Sequence, residues 1–227
     1  MSGGITVAYK ATRLDGTSFY DVWTVWRPGR ITRLPAPDLS RGVCSDGVLH
    51  ASTVKAETLI GGAWPCRLFE VEPRGPVTPL DGYKFGCGAF KVVRELPGWE
   101  ALGPNGERVV AVIDRARTLT YDEAQRLGAA RGAAWGAAGD AAGDAAHGAA
   151  RDAARDAAWD AALRAAWDAA HGAAWGAAHG AAWGAAWGAA LGAARGAGLA
   201  ELTRDLITPE QYQTLAGPWT SVVGSTA

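Results

Sequence analysis

Along this chain the spacing of apolar residues changes from every second position to every fourth. Up to about residue 119, short apolar runs alternate with polar ones at period two, the mark of half-buried strands. ITVAYKAT (Ile5–Thr12) predicts a strand, and Leu14-Asp15-Gly16 a hairpin turn into Ser18-Phe19-Tyr20. Val22–Trp26 is expected to continue the sheet. Gly47-Val48-Leu49-His50 predicts a short strand, with Ser52 or Thr53 capping a helix through Ile60. RLFEVE (Arg67–Glu72) and AFKVVRE (Ala89–Glu95) alternate well and predict paired strands. Pro97–Leu102 predicts a turn of helix, Gly103–Gly106 a loop, and Glu107–Ala116 a connecting helix or strand. The expectation is an α+β fold with a small mixed head domain at residues 1–119.

From Gly128 to Leu199 the chain parses into tetrads, of the form GAAX or DAAX except for Arg164–Trp167 (RAAW) and Gly196–Leu199 (GAGL), where X is mostly Trp, His, Leu or Arg. Alanine is the best helix former, and no proline occurs between Asn105 and Thr208, so the pattern predicts helix over residues 120–200. Thr120 and Glu123 are spaced as a capping box at its entrance. Four residues advance a helix by about 400°, so each tetrad drifts roughly 40° round the axis. The X positions then form a slow spiral, which biases packing towards a right-handed twist. The fourteen glycines of the tract weaken an isolated helix by on the order of 12 kcal/mol. Packing must offset that cost. Small residues four apart let two backbones approach, and bulky rings from a neighbour fill the space beside them. The expected knobs are Trp135, Trp159, Trp167, Trp175, Trp183, Trp187 and Leu191, and the expected holes are Gly172, Gly176, Gly180, Gly184 and Gly188. Gly136–Asp144 is the expected kink or hairpin, and Gly196-Ala197-Gly198 a second weak point. After the tract, Thr208-Pro209-Glu210-Gln211 opens a short helix, which Gly217 and Pro218 should stop. Residues 201–227 read as a capping tail that docks Trp219, Val222 and Val223.

Charge and chemistry add little to this. The formal net charge is −1, which gives no reason to expect nucleic acid. Eighteen of the 22 basic residues are arginine, which with abundant Ala, Gly and Trp suggests a GC-rich actinobacterial or phage origin. Cys44, Cys66 and Cys87 are odd in number and widely spaced, as expected of free or buried thiols in a cytoplasmic protein or a phage particle. The N-terminus lacks the apolar run of a signal peptide. A membrane span at Ala169–Ala194 is disfavoured by His171 and His179 and by the weak hydrophobicity of Ala and Gly. Those two histidines are eight residues apart, too far along one helix to share a metal, and no cofactor site is evident.

At GVLHAS, CRLFEVEP and FKVVREL the sequence resembles an uncharacterised N-terminal domain family of bacterial, including actinobacterial, and phage proteins that precedes repeat regions. The resemblance covers roughly Ile5 to Leu96. It implies a domain placed before variable repeats, and it supplies no activity and no site residues. The leading functional expectation is therefore a non-enzymatic structural or interaction protein that forms homo-oligomers or binds another protein through its tetrad helices. A second expectation is an enzyme in the head, with His50, Tyr20 or Tyr83, and Glu70 or Glu72 converging as in ADP-ribosyltransferase-like sites. A third is a membrane-active phage component.

Overall fold

The computed structural model describes residues 5–43, 45–134, 145 and 181–224, and for 181–187 the backbone alone. Among these residues the fold is mixed α+β: a curled six-stranded antiparallel sheet and four helices. The chain divides into two compact units, 1–103 and 104–227.

In the first unit the strands are β1 (Ala8–Thr12), β2 (Ile31–Arg33), β3 (Leu49–Ser52), β4 (Arg67–Pro73), β5 (Lys84–Cys87) and β6 (Ala89–Leu96). Their order across the sheet is β2-β6-β4-β1-β3-β5. The expected pairing of the two alternating segments is present: Leu68 faces Leu96 and Glu70 faces Arg94, with a register shift between Glu70 and Val71. One face of the sheet carries the core, in which Ala8, Trp26, Phe69, Val71, Phe85, Phe90 and Val92 are all fully buried. Trp26 and Phe85 each stack on Phe90, with ring centroids 5.8 and 5.7 Å away. Two 3-10 turns, Lys55–Leu59 and Gly98–Leu102, pack on each other and against the strands, burying Leu59, Ala101 and Leu102.

Two local expectations are corrected here. Gly16 does make a turn, at φ 87° with its N–H donating to Arg13 O, but the chain does not fold back along β1. Both edges of β1 are already taken by β3 and β4, so the segment after the turn bridges only Thr17 to Val25. The helix expected after Ser52 is only the 3-10 turn Lys55–Leu59. Ser52 remains in β3, the cap position is Val54 with no side-chain bond, and Gly61 at φ 73° turns the chain away.

The second unit contains α1 (Gly106–Ala116), α2 (helical residues 121–134), α3 (Ala181–Leu202) and α4 (Pro209–Val223). The connecting segment is thus a helix, and it packs here: Val112 and Ala116 of α1 join Ala124 and Leu127 of α2 in one cluster with α3 and α4. Both expected capping boxes form. Glu123 N donates to Thr120 Oγ1 at 3.3 Å and Thr120 N to Glu123 Oε2 at 2.9 Å, while Thr208 and Gln211 make the equivalent pair. Two expected breaks do not occur. α3 runs straight through Gly196-Ala197-Gly198, because Ala197 and Leu199 are buried against neighbours. α4 carries Pro218 inside it. The proline costs one ladder bond, but Trp219, Val222 and Val223 beyond it are held in the cluster with α3. Among the described residues no helix is long and apolar enough to cross a membrane.

Candidate functional site

The head holds a cleft of about 340 Å³. Its wall is the loop between Ser18 and Trp26, and that loop is shaped from within. The Arg13 guanidinium donates to the backbone carbonyls of Ser18, Phe19 (2.6 Å) and Asp21 (3.2 Å). The Asp21 carboxylate in turn accepts from the N–H groups of Trp23 (2.9 Å) and Thr24. Trp26 closes the loop at the cleft floor, fully buried, with Nε1 donating to Ser18 Oγ at 3.0 Å. The Tyr20 hydroxyl sits where a Cβ on Gly61 would be, so this glycine gives Tyr20 room to lie over the site. Leu34, Val48 and Leu49 complete an apolar lining.

Three titratable groups from the sheet line the same space. Lys10 lies on β1, His50 on β3 and Lys84 on β5. Lys10 Nζ lies 5.3 Å from the centroid of the Trp26 ring. Among the described residues neither Lys10 nor Lys84 forms an ion pair. Burial, and then the Lys84 ammonium, lower the Lys10 pKa to about 8, with Asp21 opposing. His50 lies edge-on to Tyr20, with centroids 6.3 Å apart and planes at 70°. Burial first, and then Lys10 and Lys84, lower the His50 pKa to about 4, against a hydrogen bond to the Val43 backbone. The imidazole is therefore neutral at pH 7, and its Nε2 is buried with no hydrogen-bond partner among the described residues.

Of the residues expected to converge in an enzyme, His50 and Tyr20 meet, while Tyr83, Glu70 and Glu72 do not line the cleft. Glu70 is held by Arg94 at 2.8 Å and Glu72 by Arg74 at 2.7 Å. The acids at the cleft are Asp21 and Asp46 instead, and Asp46 is paired with Arg41 at 2.6 Å. Lys10 escaped the sequence reading. Its signal was a charged residue two places after Ala8 in a strand, on the same face and directly opposite Phe69. Cys66 and Cys87 are buried free thiols, and burial pushes the Cys66 thiol up to about 12. Among the described residues no His, Cys, Asp and Glu cluster could hold a metal ion.

The second candidate surface is α3. Ala190, Ala193, Ala194 and Ala197 form a buried face around Trp219, which is 1% exposed. The tetrad glycines along it meet progressively different surroundings. Gly188 is exposed, with nothing described within 4 Å of where its Cβ would be. Gly192 faces the Arg131 side chain. A Cβ on Gly196 would stand 2.7 Å from the Leu215 carbonyl oxygen of α4, closer than a Cβ comes to a non-bonded oxygen. This change along one stripe is what a drift of about 40° per tetrad produces. Beyond Ala197, Glu201 is nearly buried and accepts from Tyr212 Oη at 2.6 Å and Arg204 Nε at 3.0 Å, which fastens the end of α3 to α4. Leu191 is partly buried. Trp183, Gly184 and Trp187 belong to α3. The remaining expected packing residues, Trp135, Trp159, Trp167, Trp175, Gly172, Gly176 and Gly180, lie outside the described residues, as do Gly136–Asp144, His147, His171 and His179.

Comparison with known protein families, with characterised proteins and with solved structures finds no match to this chain.

Proposed function

We propose that this is a non-enzymatic interaction protein whose tetrad-repeat region is helical and self-associates by close packing of helices with a right-handed twist. The observation that carries the reading is Gly196, where the missing Cβ lets α3 lie against the backbone of α4. Around it the alanine face of α3 accepts one large ring, Trp219. Tetrads of the form GAAX or DAAX make up all but two of the eighteen from Gly128 to Leu199. Each repetition offers small residues that can act as a hole and, at most X places, a larger side chain that can act as a knob. The drift of the repeat spreads those side chains round the helix, so a single neighbour cannot cover them all. A second copy of the chain supplies matching holes.

Light scattering of the full chain over a range of concentrations tests this. The expected mass is a multiple of 23.5 kDa, falling to 23.5 kDa when Trp175, Trp183 and Trp187 are all changed to alanine. A chain that stays at 23.5 kDa at every concentration, or an oligomer indifferent to those changes, contradicts the proposal.

A further inference from the structure

The cleft in the head is not needed for helix packing, and its chemistry is not that of an ordinary core. Two lysines line a space floored by Trp26, Leu34, Val48 and Leu49, and neither has a carboxylate in ion-pair range among the described residues. Asp46 is paired with Arg41, and Asp21, held by the backbone N–H groups of Trp23 and Thr24 beyond ion-pair range, offsets only part of the burial of Lys10. An ammonium in a partly closed apolar site is unfavourable unless something neutralises it. His50 Nε2 is buried at the same place without a partner among the described residues. With the imidazole neutral and its other nitrogen bonded to the Val43 backbone it is an acceptor, suited to a hydroxyl or acid proton of a ligand rather than to the anionic oxygens themselves. The volume of about 340 Å³ falls within the range of small-molecule sites, and its lining has their usual make-up of apolar walls with a few convergent polar groups.

We infer that the cleft binds a small organic anion, with its carboxylate or phosphate between Lys10 and Lys84 beside His50, and its apolar body on Trp26 and Leu34. Such a ligand relieves the cost of burying the Lys10 ammonium and its repulsion by Lys84, which together lower the affinity of Lys10 for its proton. The open side under Tyr20 admits it: Tyr20 is 67% exposed and lies over His50 without sealing the space. This inference stands apart from the association of the tetrad helices. Changes at Lys10 and Lys84 should leave the oligomer mass as it was.

The test is calorimetric titration of the full chain at pH 7 with phenyl phosphate, benzoate and the uncharged isostere benzyl alcohol. The expected result is that at least one of the two anions binds at least tenfold more tightly than benzyl alcohol. Whichever binds better identifies the acid group as phosphate or carboxylate. Lys84→Met and Lys10→Met should each weaken that anion at least tenfold, while Lys91→Met on β6, outside the cleft, leaves it unchanged. Thermal melts of each variant establish that it is folded, and Lys84→Met provides the test should Lys10→Met fail to fold. Equal binding of benzyl alcohol, no binding of either anion up to millimolar concentration, or anion binding that survives both lysine changes would overturn the inference.

Discussion

The two units solve the problem of making a core in opposite ways. In the head, large rings meet one another on the sheet: Trp26 and Phe85 each lie tilted against Phe90 with centroids less than 6 Å away. In the helical unit one large ring, Trp219, meets the alanine face of α3, with Val112 of α1 and Leu127 of α2 in the same cluster. The first arrangement draws its energy from area buried per side chain. The second draws it from how closely backbones approach, since alanine and glycine have little surface of their own to remove from water. The head therefore has side chains and space to spare for a cleft, and it keeps charged groups there. The helical unit has no such slack, and a single added carbon is felt.

The largest expected effects come from deleting a ring in either core. Phe90→Ala should destabilise the head by about 3–5 kcal/mol, and Trp219→Ala the helical unit by a similar amount. Urea unfolding followed by amide exchange in each unit reads the two separately, and each loss should stay within its own unit.

Next in size is a pH dependence confined to the head. His50 has a folded pKa of about 4 against an ordinary 6.5, so the unfolded chain binds the proton more readily between those values. Stability is fully present above pH 6.5 and is lost as pH falls through 4. Lys10, with a pKa of about 8 against 10.5, acts in the same sense at the other end: stability rises as pH goes from 8 to 10.5. Exchange from β4 and β6 measured across pH should show both slopes. His50→Gln should flatten the acid one and Lys10→Met the alkaline one, while Lys10→Met also raises stability at pH 7 by removing a desolvated charge. Amides of α3 and α4 should show neither.

The two units also differ in how much of each could be read from the sequence. Local signals carried far. The alternation in RLFEVE and FKVVRE gave two strands that do pair, and both capping boxes sit where Thr120 and Thr208 put them. That Trp219, Val222 and Val223 form an apolar docking patch was likewise readable, but whether it meets the end of the tract or the head was left open by the sequence, and the structure places it against the alanines of α3. Sheet order was not readable. That β1 lies between β3 and β4 depends on pairings far apart in sequence, which no local pattern encodes, so the turn at Gly16 looked like a hairpin. Pro218 misled for the opposite reason: a local helix breaker was overruled by packing on its far side. In the cleft, His50 and Tyr20 were visible as candidates. Lys10 was hidden because its role follows from which face of β1 it occupies and from a loop folded over it by Arg13.

The account rests most heavily on close approach at the tetrad glycines, and one chemical change made at two of them tests it. Gly188→Ala and Gly196→Ala add the same carbon to the same helix, two tetrads apart. At Gly188 nothing among the described residues lies within 4 Å of the new Cβ, so in protein dilute enough to be monomeric the gain in helix propensity should raise stability by about 0.5–1 kcal/mol. At Gly196 the new Cβ meets the Leu215 carbonyl at 2.7 Å, so α4 must move, and stability should fall by about 1–3 kcal/mol. Opposite signs in urea unfolding of the two variants are the predicted result. If both changes stabilise alike, backbones do not meet at the tetrad glycines and the packing account is wrong.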